Sequence, residues 1–389
     1  MNTKKMSVWG KVFSRKKTLQ IITGGLELLW GYPLYCLSYI FIKDKRKWVF
    51  GHKNGFVDNA KYLYLYALKQ EEVKVYWITQ DKKLLRWMCE RNLPAYHRYS
   101  LKGMFHSLTA YMYFYTTSSD AINFFTSGNS ILKDNRLFCR IFAPWILKKP
   151  DYLLVPTYYQ RGYFQQLFSI KEDQLIDDIY PRCAFLKQDL IEIVEHIKRY
   201  EPQEVPELLN SWKQYDRIYL YMPTWRAHLN TAYLNVAFPN MNKLNEILKK
   251  VNALLVIKQH PTVKVTNLNN QYSHIYFIDN KCDIYPILPF TDILITDYSS
   301  IYADYILMED KGVILYMFDL EEYQKNDLSL MDYEKNTPGT YAYTFTELLE
   351  IIINKKDCGF PGRDVTLYKW WGNYKERSMR TLWNKLLTI

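Results

Sequence analysis

The sequence predicts an α/β protein built from two Rossmann-like halves, and three observations carry that prediction. The 389 residues suffice for two domains of ordinary size. Strand-like apolar runs alternate with helical patterns after Lys47, and the same alternation restarts after Arg217. Between them, the polar stretch YEPQEVP (200–206) carries two prolines and marks a boundary.

In the first half, 48–51 reads as a strand and 58–68 as a helix with Asp58 near its start. Strand 73–78, helix 81–90, short strand 95–96, helix 101–109 and strand 111–116 follow. In the second half, 217–222 is a strand and 241–250 a helix. Residues 253–258, 274–277, 293–296 and 313–316 are further strands, with a helix between the last two. The end, 365–387, reads as one basic helix bearing Trp370, Trp371 and Trp383. Such alternation implies βαβ units and parallel sheets, whose ligands sit beyond the carboxyl ends of the strands.

Composition narrows the function. Hydrophobic residues make up 48% and charged residues 23%, values of a globular chain. The six cysteines are scattered with no C-x-x-C pair, which argues for a reducing compartment and against structural zinc. Neither G-x-G-x-x-G nor a Walker A motif is present. The net charge of +11 is concentrated at one end, where residues 1–50 hold ten Lys/Arg against Glu27 and Asp44. Nucleic acid calls for basic residues along a groove with stacking aromatics, so no nucleic-acid partner is expected. The basic clusters instead bracket an apolar run at 19–42, long enough to span a bilayer but interrupted by Glu27, Gly31 and Pro33. Residues 1–46 are therefore expected to form a helical segment associating with an anionic membrane surface, with a buried helical pair as the alternative.

Candidate site residues cluster at strand ends. GHKNGFVDN (51–59), with His52, Asp58 and Asn59, follows the first strand. Pro223-Thr224-Trp225-Arg226, Lys258-Gln259-His260-Pro261 and Asp297-Tyr298-Ser299-Ser300 follow strands of the second half. In TDILITDYSSIYADY (291–305), a strand runs through Asp297 into two serines that open a helix. Unpaired backbone N–H groups and the helix dipole there suit a phosphate, while Asp297 or Ser299 as a plain N-cap is the alternative. Arg226 or Lys258 suits neutralisation of a diphosphate, and His260 suits proton transfer near neutral pH.

These blocks resemble the CDP-glycerol glycerophosphotransferase family, which builds teichoic acids and related surface polymers. The resemblance rests on VFGHKNGFVDNAKYLYLYAL near the start, YPR at 180–182, YMPTWR at 221–226, IKQHP at 257–261, LITDYSSIYADYILMEDKGVILYMFDLEEY at 294–323 and DYEKNTPG at 332–339. It implies a GT-B-like fold of two Rossmann-like domains facing a cleft, peripheral attachment to the cytoplasmic face of the membrane, and a nucleotide site in the second domain. By motif, His260, Thr224, Arg226, Ser299 and Ser300 would surround a CDP-activated donor, CDP-glycerol being substrate rather than cofactor, with neither cofactor nor metal required. The implied organisation is a membrane-associating segment (1–46), an acceptor domain (47–205), a donor domain (206–364) and a C-terminal basic helix (365–389).

The implied reaction is attack of an acceptor hydroxyl, on a glycan or lipid-linked acceptor, at the polyol-bearing phosphorus, with CMP leaving. The family's Trp-His-Gly block supplies its favoured base in the first domain, whereas the corresponding INFFTSGNSILKDNRLF (122–138) contains no histidine. Asp134 or His52 then stands in as base. Two other readings stay open: a GT-B glycosyltransferase using a nucleotide sugar, and a non-catalytic nucleotide- or glycan-binding relative.

Overall fold

A computed structural model of the chain describes residues 33, 36, 38–116, 150–224, 226, 233–259, 271–327, 336–356 and 362–389. His260 and Asp134, and most of the apolar run 19–42, lie outside the described residues. The chain divides into two compact units, Met1–Asp151 and Tyr152–Ile389.

The first unit carries strands β1 (Asp44–Gly51), β2 (Lys74–Thr79), β3 (Ala95–His97) and β4 (Ala110–Tyr115), all parallel, in the order β3-β2-β1-β4. Helices α1 (Asp58–Ala67), α2 (Lys82–Glu90) and α3 (Leu101–Thr109) connect them. Local chemistry sets the helix starts: Asp81 accepts from the Lys83 and Leu84 amides, and Ser100 accepts from the Gly103 amide. Gly103 is required where it stands, because a Cβ there would lie 2.1 Å from the His97 carbonyl oxygen. Aromatic rings fill one side of the sheet, with Phe50, Phe56, Tyr64 and Trp77 meeting edge to face.

Lys43, Arg46 and Lys47 do not form the free cationic flank that the sequence suggested. β1 begins at Asp44 and pairs Asp44 with Ala110. Lys43 donates to the Leu108 carbonyl, Arg46 to the Glu71 and Glu72 carbonyls, and the buried Lys47 to Thr109 Oγ1 at 2.7 Å. Three of the four cations in 43–47 thus hold this unit together. Among the described residues no helix is long and apolar enough to cross a membrane. Tyr39, Ile40 and Ile42 are nonetheless largely exposed.

The second unit holds a short pair, β5 (Leu153–Leu154) and β6 (Leu175–Ile176), and a six-stranded parallel sheet. The sheet's strands are β7 (Arg217–Tyr221), β8 (Ala253–Ile257), β9 (Ile275–Phe277), β10 (Ile293–Thr296), β11 (Gly312–Tyr316) and β12 (Thr340–Ala342). Their order is β9-β8-β7-β10-β11-β12, the doubly wound arrangement in which direction reverses between β7 and β10. Every residue of β8, β10 and β11 is buried, as expected of parallel strands covered on both faces. Tyr219, Leu255, Ile257, Ile295, Ile314 and Tyr316 pack with Leu244 and Leu248 of helix Met241–Lys250 and with Leu348 and Ile352 of helix Phe345–Ile353.

Two organisational expectations need correction. The polar stretch 200–206 lies between helices Leu190–Tyr200 and Glu204–Trp212, and residues from Tyr152 onward belong to the second unit, so the break falls near 151 instead of 205. The prolines there end one helix and open another without parting two cores. The terminal basic helix is two helices, Arg363–Trp371 and Met379–Leu387, separated at Gly372 with φ +55°. Ser378 caps the second, and its Leu382, Trp383 and Leu386 are buried. Arg377 pairs with Asp177, and Lys385 with Asp178, inside the same unit.

Candidate functional site

The loops after β7 and β10 meet at the reversal point of the larger sheet, and a buried ionic network joins them. Arg226 has a fully buried side chain. Its Nε and Nη2 grip Asp319 at 2.5 and 2.8 Å, and its Nη1 donates to the Thr224 carbonyl and meets Asp297 Oδ2, both at 2.7 Å. Asp297 Oδ1 accepts from the Thr224 amide at 2.8 Å and from the Tyr298 amide at 2.7 Å. Asp319 lies just beyond β11, so one guanidinium ties together the chain following β7, β10 and β11. Burial alone would lower the Arg226 pKa; the hydrogen bonds to Asp319 and the charges of Asp297 and Asp319 outweigh it and raise the pKa. The guanidinium also lies 5.6 Å from the Tyr298 ring and 5.8 Å from Tyr323, which stack on each other at 3.9 Å. The Tyr298 hydroxyl donates to Asp319, and burial first, then the two aspartates, raises its pKa.

This arrangement changes the expected role of Arg226. A side chain enclosed by two carboxylates and shielded from solvent positions loops; it is not a free cation for a diphosphate. Asp297 likewise bridges to the β7 loop instead of capping the helix after it. That helix, Ile301–Tyr305, is only five residues long. Its N-cap Ser300 makes no side-chain capping bond, and Ser299 Oγ accepts from the Ile301 amide at a long 3.5 Å. A helix this short adds little dipole, so the serines' contribution rests on their hydroxyls and local amides.

Thr224 is the residue with unused capacity. Its backbone is fixed on both sides by Asp297 and Arg226, yet its Oγ1 is buried with no hydrogen-bond partner among the described residues. A buried hydroxyl left unpaired costs about 1–3 kcal/mol, which a bound polar ligand would recover. Lys258, at the end of β8, is buried and donates to the Asn280 carbonyl at 3.0 Å; burial lowers its pKa. The structure thus brings Thr224, Arg226 and Asp297 together, with Ser299 and Ser300 next in the chain, and places Lys258 one strand away from β7. Among the described residues no three His, Cys, Asp or Glu side chains group as metal ligands.

Sequence reasoning missed Asp319, Tyr298 and Tyr323 as site builders, although all three stand inside the block quoted for the family resemblance. It also missed a second buried cluster. Arg182 of YPR donates through Nε and Nη2 to Asp304 Oδ2, both at 2.9 Å, and the Tyr285 hydroxyl donates to the same oxygen at 2.5 Å. This pins helix Ile301–Tyr305 to helix Pro181–Leu186.

In the first unit, His52, Asp58 and Asn59 gather at the carboxyl end of β1, where the order β3-β2-β1-β4 reverses. His52 is 3% exposed; its Nδ1 accepts from the Asn54 amide at 3.1 Å, and its Nε2 lies 3.9 Å from Asp58 Oδ2. Asp58 opens α1 with a left-handed φ of +62°, and its Oδ1 accepts from the Asn59 amide.

The two parallel sheets, with candidate residues gathered at strand reversals, define a Rossmann-like α/β protein. A family model described as CDP-glycerol:poly(glycerophosphate) glycerophosphotransferase matches residues 143–363, more than half of the chain, and the protein belongs to that family. It is 29% identical over 197 residues to the teichoic acid ribitol-phosphate polymerase TarK of Staphylococcus aureus, covering 50% of this chain and 37% of that protein. It is 26% identical over 289 residues to a teichoic acid poly(glycerol phosphate) polymerase of Bacillus spizizenii, covering 72% and 66%. The chain therefore spans from about a third to about two-thirds of these relatives. Among solved structures, the wall teichoic acid polymerase TagF superposes with a TM-score of 0.67 at 16% identity, covering 97% of this chain and 98% of that one. A TagF variant soaked with CDPG gives 0.65.

Proposed function

We propose that the protein transfers glycerol phosphate, or another polyol phosphate, from a CDP-activated donor to a hydroxyl of a teichoic-acid-type acceptor, releasing CMP. The observation that carries this reading is a coincidence of place. The family match covers the whole sheet whose reversal point holds Thr224, with its buried, unpartnered hydroxyl, between Arg226 and Asp297. The relatives named as glycerol- and ribitol-phosphate polymerases support the same chemistry.

The acceptor oxygen attacks the polyol-bearing phosphorus, the bond to CMP breaks, and CMP leaves with the electron pair. The protein's work is positioning and stabilising charge on the phosphoryl oxygens. In this reading Arg226, Asp297 and Asp319 hold the loops rigid, and the Thr224 hydroxyl with Ser299 and Ser300 meets the donor phosphates. The protein acts at an anionic membrane surface as a peripheral protein, and no cofactor is assigned a step.

The test is CMP release from CDP-glycerol and CDP-ribitol with lipid-linked or oligosaccharide glycerol-phosphate acceptors. A melting-temperature screen against CDP-polyols and nucleotide sugars runs beside it, since only the true donor stabilises by mass action. CMP release with acceptor extension is the expected result. Stabilisation by a nucleotide sugar alone would move the assignment to a glycosyltransferase. Donor binding without turnover would make the protein a binding relative.

A further inference from the structure

The helix that follows the two serines is completed by a helix some sixty residues further along the chain. Ile301–Tyr305 is five residues long, and all five are buried. Its start is bonded directly to the serine turn. The Tyr302 amide donates to the Ser299 carbonyl at 3.2 Å, and the Ala303 amide to the Ser300 carbonyl at 3.1 Å. At its other end, carbonyls are left that no continuing helix takes up. The Leu307 amide, which would return to Ala303 if the α-helix ran on, turns to the Asp304 carbonyl at 3.3 Å.

Helix Arg363–Trp371 supplies the missing donors. Trp371 is 3% exposed, and its indole Nε1 donates to the Ala303 carbonyl at 2.7 Å. From the other end of the same helix, Arg363 Nη2 donates to the Ile306 carbonyl at 2.7 Å and to the Met308 carbonyl. Trp371 also meets the Tyr180 ring edge to face at 5.8 Å, two residues before the Arg182 that holds Asp304. Ala303 thus sits in one line of bonds, its carbonyl taking the indole N–H and its amide reaching Ser300. All of these residues lie in the second unit. The family match ends at Arg363, so Trp371 stands outside it.

We infer that Trp371 and Arg363 are positioning residues of the donor site, holding helix Ile301–Tyr305 so that the Ser299 and Ser300 hydroxyls are set in place for the donor phosphates. This rests on the phosphotransfer reading above, in which those hydroxyls meet the donor. A helix of five residues is not stable alone, so the direction of the serine turn is decided by whatever grips the helix from outside. With the grip in place the donor meets a turn already ordered; without it, binding has to order the turn, and affinity falls.

The experiment uses the full chain and CDP-glycerol. Trp371→Phe keeps a buried aromatic ring and removes the N–H. Its Kd for CDP-glycerol, measured by titration calorimetry, is expected to rise about 3–10-fold, the range of one net hydrogen bond. The KM for donor should rise in step, with the KM for acceptor unchanged. Arg363→Met should act in the same direction, and Arg363→Lys, which keeps a charged donor, should recover part of the loss. That pair reads the same grip where Trp371→Phe folds poorly. In a Ser299→Ala/Ser300→Ala background, Trp371→Phe should shift Kd by less than about 2-fold, because the hydroxyls through which it acts are gone. A lower melting temperature with donor Kd unchanged in both Trp371→Phe and Arg363→Met overturns the inference. So does an equal loss of affinity with and without the serine hydroxyls, and in both cases the transferase reading stands. Wild-type protein that neither binds CDP-polyols nor releases CMP overturns that reading and this inference with it.

Discussion

Asp319→Ala is the substitution that most directly tests how the second unit holds its site. Asp319 accepts two hydrogen bonds from Arg226, at 2.5 and 2.8 Å, and one from the Tyr298 hydroxyl at 3.2 Å. Removing it leaves a guanidinium with no solvent exposure holding one of its two carboxylates, Asp297, and the Thr224 carbonyl. Breaking a buried pair by deleting one partner costs about 3–5 kcal/mol. The surviving contact to Asp297 places this case near the lower end, and the hydrogen bond lost by the Tyr298 hydroxyl adds about 1 kcal/mol. A total of about 4 kcal/mol, at about 2–4 °C per kcal/mol for a domain of 150–250 residues, lowers melting by about 8–16 °C. Differential scanning calorimetry should show that fall in melting temperature. Arg226→Met combined with Asp319→Ala should destabilise by less than the sum of the singles, because each alone strands the other's charge. A shift under 1 °C for Asp319→Ala, or strictly additive singles, would refute the network's role.

Two further predictions concern individual side chains. Thr224→Val removes the unpartnered hydroxyl at nearly constant volume. It should leave apo melting unchanged or raised while weakening CDP-glycerol stabilisation at least several-fold in Kd, and an unaltered Kd would remove Thr224 from the donor site. His106, stacked on Tyr76 at 3.8 Å and on Tyr96 at 4.7 Å, has its pKa lowered to about 4 by burial first and then by Lys47 and Lys102. Since the folded pKa lies below the unfolded value near 6.5, its contribution is complete above about pH 6.5 and is lost as pH falls toward 4. Melting of the first unit should therefore drop between pH 7 and pH 5, and His106→Phe should flatten that drop; parallel slopes for the two proteins would count against it.

Much of the fold was legible because parallel strands leave a plain mark. Residues 253–257 and 293–296 are continuous apolar runs that cannot face water on either side, and the structure buries them completely. Helix Met241–Lys250 falls where its apolar spacing placed it, and Asp81 starts α2 through the local amide bonds of a capping residue. The candidate residues were legible for the same reason. Once strand ends are known, Thr224, Asp297 and His52 must lie at a sheet edge. Helix length after Ser300 was less legible, since the buried run 301–308 continues beyond Tyr305, where the α-helix gives way to turns in which the Leu307 and Met308 amides donate to the Asp304 and Tyr305 carbonyls.

The sequence by itself thus determined the α/β class, the two alternations and the strand-end loops where the candidate residues gather, because those depend on periodicity and on neighbours a few residues apart. Only tertiary structure decided which charges are available. Arg226 and Asp319 are 93 residues apart in the chain, and nothing local distinguishes a guanidinium locked between two carboxylates from one awaiting a phosphate. The same holds for Lys43, Arg46 and Lys47, whose charge reads as a membrane flank until their partners at 71, 72, 108 and 109 are known. Net charge adds up along a sequence, but pairing is set by distances of a few ångströms that only the folded chain creates.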